Sequence, residues 1–120
     1  MSKKILIVDD AMVMRMMLRD IVEKNGFEVV GEAKNGFEAE KMYRELQPDF
    51  VTMDISMPEC DGIEGVKLIK QISPKAIVIM ISALGQKDLV LQAIKLGAND
   101  FIVKPFEEAN VIDTLKRLSK

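Results

Sequence analysis

Apolar residues follow two alternating patterns along the chain. Short apolar runs predict strands over residues 4–8, 28–33, 50–53, 76–81 and 101–103, and the first of them, Lys4-Ile5-Leu6-Ile7-Val8, has the continuous character of a strand covered on both faces. Between the runs, apolar positions recur at three- and four-residue intervals. Met14, Met17, Leu18, Ile21 and Val22 give a helix over 14–24 that stops at Asn25-Gly26. Ala39, Met42, Tyr43 and Leu46 give a second that ends before Pro48, and Val66, Ile69 and Ile72 a third stopped by Pro74. A fourth, from about Lys87, buries Val90, Ala93 and Ile94 before Gly97; Val111, Ile112, Leu115 and Leu118 line a fifth.

Strict strand-helix alternation with short connections predicts an α/β fold, a five-stranded parallel sheet with helices on both faces. With 120 residues, the chain is expected to form one domain over 1–120, with no room for a separate output domain. The amino end, Met1-Ser2-Lys3-Lys4-Ile5, enters a strand at once and lacks the shape of a signal peptide, and no apolar run is long enough to span a bilayer. One cysteine, Cys60, cannot form an internal disulfide, and its acidic neighbours disfavour a reactive thiolate. A cytoplasmic location, no membrane contact and a monomer are the expectations.

Charge and missing residue types narrow the chemistry. Net charge is −2 with lysines and arginines dispersed, so nucleic-acid binding has no electrostatic footing. Histidine is absent, which removes histidine-assisted nucleophiles and the usual zinc sites. Any metal would be a hard ion on oxygen ligands.

The informative feature is what stands at the carboxyl ends of the predicted strands: Asp9-Asp10 after the first, Asp54 after the third, Ser82 after the fourth and Lys104 after the fifth. Parallel strands bring these ends to one edge, where open α/β sheets bind ligands. Singly, each has a plain explanation: Asp9-Asp10 as a helix-start signal, Asp54 and Ser82 as caps, Lys104 as a solvated charge. Together they describe a pocket whose carboxylates repel unless a cation joins them, with magnesium the ion suited to few protein ligands. Such a pocket attracts a phosphoryl group, with Asp54 as nucleophile and Lys104 and Ser82 as partners for its oxygens.

These motifs carry a resemblance to the response-regulator receiver domain over nearly the whole chain: Asp9-Asp10 after Leu6-Ile7-Val8, Asp54 followed by Met57-Pro58 and Gly62, Ser82-Ala83, Gly97-Ala98 before Asp100, and Lys104-Pro105-Phe106. Asp10-Ala11 and Met14-Arg15 resemble the stand-alone chemotaxis members in particular. The resemblance implies a flavodoxin-like (βα)5 fold with strand order 2-1-3-4-5. It implies phosphorylation of Asp54 by a histidine kinase with Mg2+ held by the Asp10 and Asp54 carboxylates, by the Ser56 backbone carbonyl and, through water, by Asp9. It further implies that Ser82 and Lys104 contact the phosphoryl oxygens, that Ser82 and Phe101 form a switch, and that Ser56 and Leu84 tune how long the phosphoryl survives.

The implied output is a phosphorylation-dependent protein target, foremost the flagellar motor switch, with a phosphatase as a further possible partner. The protein would thus be a binding module and not an enzyme. A stand-alone phosphorelay intermediate passing the phosphoryl to another histidine protein is the alternative. A flavodoxin-like nucleotide carrier needs phosphate-binding amides where Asp9-Asp10 stands, and an aspartyl phosphatase resembles Asp-x-Asp where this chain has Asp54-Ile55-Ser56. Met12, Val13 and Met16 on the first helix, and Leu91 and Lys95 on the fourth, are the residues expected off the buried stripes.

Overall fold

The computed structural model describes residues 3–119. Met1, Ser2 and Lys120, the extreme ends of the expected 1–120 domain, lie outside the described residues, and with them the first part of the amino end read above as lacking a signal-peptide shape. Five strands and five helices alternate: β1 (Lys4–Val8), α1 (Met12–Glu23), β2 (Glu28–Ala33), α2 (Gly36–Leu46), β3 (Phe50–Asp54), α3 (Gly62–Ile72), β4 (Val78–Ser82), α4 (Lys87–Lys95), β5 (Asp100–Val103) and α5 (Glu108–Leu118). All strand pairs are parallel and the order is β2-β1-β3-β4-β5. Among the described residues, no helix is long and apolar enough to cross a membrane.

Period-two alternation on the central strands divides the core into two layers. Leu6, Val8, Val51, Met53, Val78 and Met80 pack with Ala39 and Tyr43 of α2, Val66 and Ile69 of α3, and Val90 and Ala93 of α4. Ile5, Ile7, Phe50, Ile79 and Ile81 face Leu18 and Val22 of α1 and Val111, Ile112 and Leu115 of α5. Both faces are covered, which is why these strands read as unbroken apolar runs.

Local chemistry sets the ends. Asn35 Oδ1 accepts from Glu38 N at 2.9 Å and Asp61 Oδ1 from Glu64 N at 2.9 Å, so each side chain caps the helix that follows. Gly62 opens α3 against the end of β3: its N–H donates to the Ile55 carbonyl at 2.7 Å, and a Cβ there would collide with the Asp54 carbonyl. No residue but glycine fits that approach.

The buried faces of α1 and α4 differ from expectation. α1 begins at Met12, two residues before the predicted start, because Ala11 takes the capping position and its carbonyl accepts from Arg15 N. The helix is rotated so that Arg15, Leu18 and Val22 are buried, whereas Met17, expected inside, is 47% exposed. Ile94 on α4 is likewise 40% exposed, since the inner stripe of that short helix is Val90 and Ala93. Met12, Val13, Met16 and Leu91 are exposed as expected. β4 starts at Val78, not 76, and β5 at Asp100, not 101.

Candidate functional site

The carboxyl ends of β1, β3, β4 and β5 converge on one acidic pocket. Asp54 is the last residue of β3, in register with Ile81, and Ser82 follows at the end of β4. Lys104 N donates to the Ser82 carbonyl at 2.7 Å, which brings the end of β5 against the end of β4. Lys104 Nζ donates to Asp9 Oδ2 at 3.1 Å and to Asp54 Oδ1 at 3.2 Å. One oxygen from each of Asp9, Asp10 and Asp54 lies within 4.8 Å of the others. Asp9 and Asp54 are buried, whereas Asp10 is exposed at the pocket mouth.

Asp9 is held on every side. Its N–H donates to the Ala33 carbonyl at 3.0 Å, its Oδ1 accepts from Ala11 N at 2.9 Å and its Oδ2 takes the lysine. Burial, reinforced by the Asp9 charge, pushes the Asp54 carboxyl above the ordinary aspartate range, against the opposing pull of Lys104. Burial alone would lower the Lys104 ammonium, but the Asp54 and Asp9 carboxylates overcome it and raise it above the ordinary lysine value. Three carboxylates against one ammonium leave the pocket two charges short of neutrality. An all-oxygen donor set with that deficit fits a hard divalent cation.

The expected residues thus fall into two groups. The Asp9, Asp10 and Asp54 carboxylates gather, Lys104 pairs with Asp9 and Asp54, and Ser82 stands on the neighbouring strand end. Ser56 is exposed on the loop after β3, where its Oγ accepts from Gln86 Nε2 at 2.8 Å. Phe101 lies on β5 in register with Met80 of β4 and is 45% exposed. Between Phe101 and Ser82, an open pocket of about 470 Å³ is lined by Leu84, Val90, Leu91 and Val103. Leu84 is 81% exposed beside Gly85, which has a φ of +88°. Cys60 is buried, and burial together with Glu64 and Asp61 pushes its thiol up, in keeping with an inert side chain.

Two contributors escaped the sequence reading. Gln86 ties the two loops flanking Asp54, since its Oε1 also accepts from Ala83 N at 2.7 Å. Arg15 is buried against the site, its Nη1 donating to the Asp9 carbonyl at 2.7 Å and its Nε to Glu32 Oε1 at 2.8 Å. Its spacing to Leu18 and Val22 was the available signal: a cation at a position of the buried stripe needs a partner.

Comparison with known proteins agrees with this geometry. The family model described as the response regulator receiver domain matches residues 5–116. The chain is 57% identical over 120 residues to a chemotaxis protein CheY of Thermotoga maritima, covering 100% of each. It is 56% identical over 117 residues to the CheY of Bacillus subtilis, covering 98% of each. Among solved structures, that of a CheX-CheY-BeF3-Mg2+ complex from Borrelia burgdorferi superimposes with a TM-score of 0.94 at 38% identity, over 98% of this chain and 90% of that one. A sheet of this order, an acidic pocket at its carboxyl edge and a family match across nearly the whole length lead to one conclusion: the chain belongs to the response regulator receiver domain family.

Proposed function

We propose that this receiver domain is a phosphorylation-switched chemotaxis protein, in which Asp54 takes a phosphoryl group from a histidine kinase and the phosphorylated form binds the flagellar motor switch. The observation that carries the reading is the convergence of the Asp9, Asp10 and Asp54 carboxylates, with the Lys104 ammonium pairing Asp9 to Asp54. The full-length likeness to proteins named CheY favours a motor-directed signal over a phosphorelay intermediate.

In this reading Asp10, Asp54 and the backbone carbonyl of Ser56 would hold Mg2+, with Asp9 assisting through water. Bound there, the ion would neutralise the carboxylates and the phosphoryl oxygens. Asp54 then attacks phosphorus through a carboxylate oxygen; the bond from phosphorus to the donor imidazole nitrogen breaks, and the electron pair stays with that nitrogen. Asp54 is consumed once per event, so the protein acts as an acceptor and not as an enzyme with turnover. Lys104, already at the Asp54 oxygen, shifts to the phosphoryl oxygens, and the Ser82 hydroxyl donates to them.

The phosphoryl group adds roughly one to two negative charges at one point, and the protein responds by favouring the conformation that satisfies them. Ser82 and Phe101 are the switch pair: Ser82 moves towards the phosphoryl, and Phe101 turns from its half-exposed position into the space beside it. The test is binding of a purified motor-switch protein before and after treatment with an acyl phosphate and Mg2+. Tighter binding after treatment is expected, and equal binding in both states contradicts the motor assignment.

A further inference from the structure

Among the buried residues of α1, Arg15 alone carries a charge, and it sits with Leu18 and Val22 on the face turned to the sheet. Stability alone does not favour it there. Taking a guanidinium out of water is costly, and an apolar side chain of similar volume is commonly as good or better at such a position. What an apolar side chain cannot do is donate hydrogen bonds, and Arg15 makes two that matter. Nε meets Glu32 Oε1 at 2.8 Å, while Arg19 takes the other oxygen of Glu32 at 2.8 Å and so fixes that carboxylate on β2. Nη1 reaches the Asp9 carbonyl at 2.7 Å in a buried contact.

That carbonyl is the hinge of the acidic pair. Asp9 O, Asp10 N and Asp10 Cα lie in one rigid peptide plane, so a donor that holds the oxygen also sets the direction in which the chain leaves towards Asp10. Asp9 is fixed independently through Ala33, Ala11 and Lys104. Asp10 is exposed, so the approach of its carboxylate to those of Asp9 and Asp54 depends on the backbone that carries it. The Arg15 charge, which by itself would repel a cation, is cancelled by Glu32. The pair therefore supplies orientation without an opposing field.

We infer that Arg15 is a positioning residue for the cation site, locking the Asp9-Asp10 peptide through the Asp9 carbonyl; this rests on the proposed reading of the acidic pocket as a Mg2+ site. Two variants separate orientation from charge. Arg15→Met with Glu32→Gln removes one charge of each sign and leaves the Asp9 carbonyl without its donor. Arg15→Lys keeps the charge but offers one nitrogen on a shorter reach where arginine holds Glu32 Oε1 and the Asp9 carbonyl through two, Nε and Nη1, so the fixed fork that orients the Asp9 oxygen is lost. Mg2+ binding is measured by calorimetry at a temperature where each protein is folded, with urea unfolding in the absence of Mg2+ alongside.

Mg2+ affinity is expected to fall about tenfold in both variants, the lower end of what losing a partner behind a metal ligand costs. Wild-type affinity in either folded variant, whatever its stability, overturns the inference and leaves Arg15 a role in the fold alone. Should the double variant not fold, Arg15→Lys decides. Failure of the unaltered protein to bind Mg2+ would instead remove the cation reading itself, and the inference with it.

Discussion

Replacing Lys104 with methionine isolates the electrostatics of the pocket. The ammonium lies 3.1 Å from Asp9 and 3.2 Å from Asp54, two carboxylates that are almost wholly buried. Breaking a buried ion pair by removing one partner costs about 3–5 kcal/mol, because the other charge is left without compensation. Lys104 is 20% exposed at its side chain, so water screens part of the interaction, and about 2–3 kcal/mol is the loss expected at neutral pH. The sign of the pH dependence follows from the raised Asp54 carboxyl. Such a group contributes stability below its unfolded value, about 3.9, and loses that contribution as pH rises through its folded value. Without Lys104 the folded value rises further, so the gap between variant and wild type should be small near pH 4 and widen towards pH 7. Urea unfolding across that window, without and with Mg2+, is the assay. Added Mg2+ should stabilise the variant by mass action, since it supplies the missing positive charge. A loss of equal size at pH 4 and pH 7, or no loss at either, would refute the reasoning.

Four other substitutions have checkable outcomes. Gly62→Ala should destabilise by about 2–4 kcal/mol, because its Cβ meets backbone atoms of Asp54 and Ile55 that cannot yield. Gly65→Ala should stay within about 1 kcal/mol, because the nearest atoms there belong to the flexible Met53 side chain and alanine favours the helix; equal denaturant midpoints for the two would contradict this. Thr52→Val should stabilise by about 1 kcal/mol in the same assay, since the buried Thr52 hydroxyl has no hydrogen-bond partner among the described residues. Phe101→Ala should leave phosphorylation by an acyl phosphate intact while weakening phosphorylation-dependent binding; unchanged binding would remove Phe101 from the switch.

The fold was legible because most strands announce themselves as apolar runs ended by a polar residue, as in Leu6-Ile7-Val8 before Asp9 and Ile79-Met80-Ile81 before Ser82. The site was legible for the same reason: a parallel sheet converts those endings into neighbours without further information. The face of α1 was not. Met12, Val13, Met14, Met16, Met17 and Leu18 supply an apolar residue at almost every angle, so spacing alone does not choose the buried side. The choice depends on Glu32, seventeen residues beyond Arg15 on another element. The Gln86 bridge depends similarly on a loop conformation that includes the positive φ of Gly85, and Ile94 on how little of a nine-residue helix the sheet covers.

The most direct measurement is to treat the protein with acetyl phosphate, with and without Mg2+, and to locate any adduct by peptide mass. A single phosphoryl group on Asp54 that requires Mg2+ and disappears in Asp54→Asn is the predicted result. Modification at another residue, or the same yield without the metal, would contradict the account.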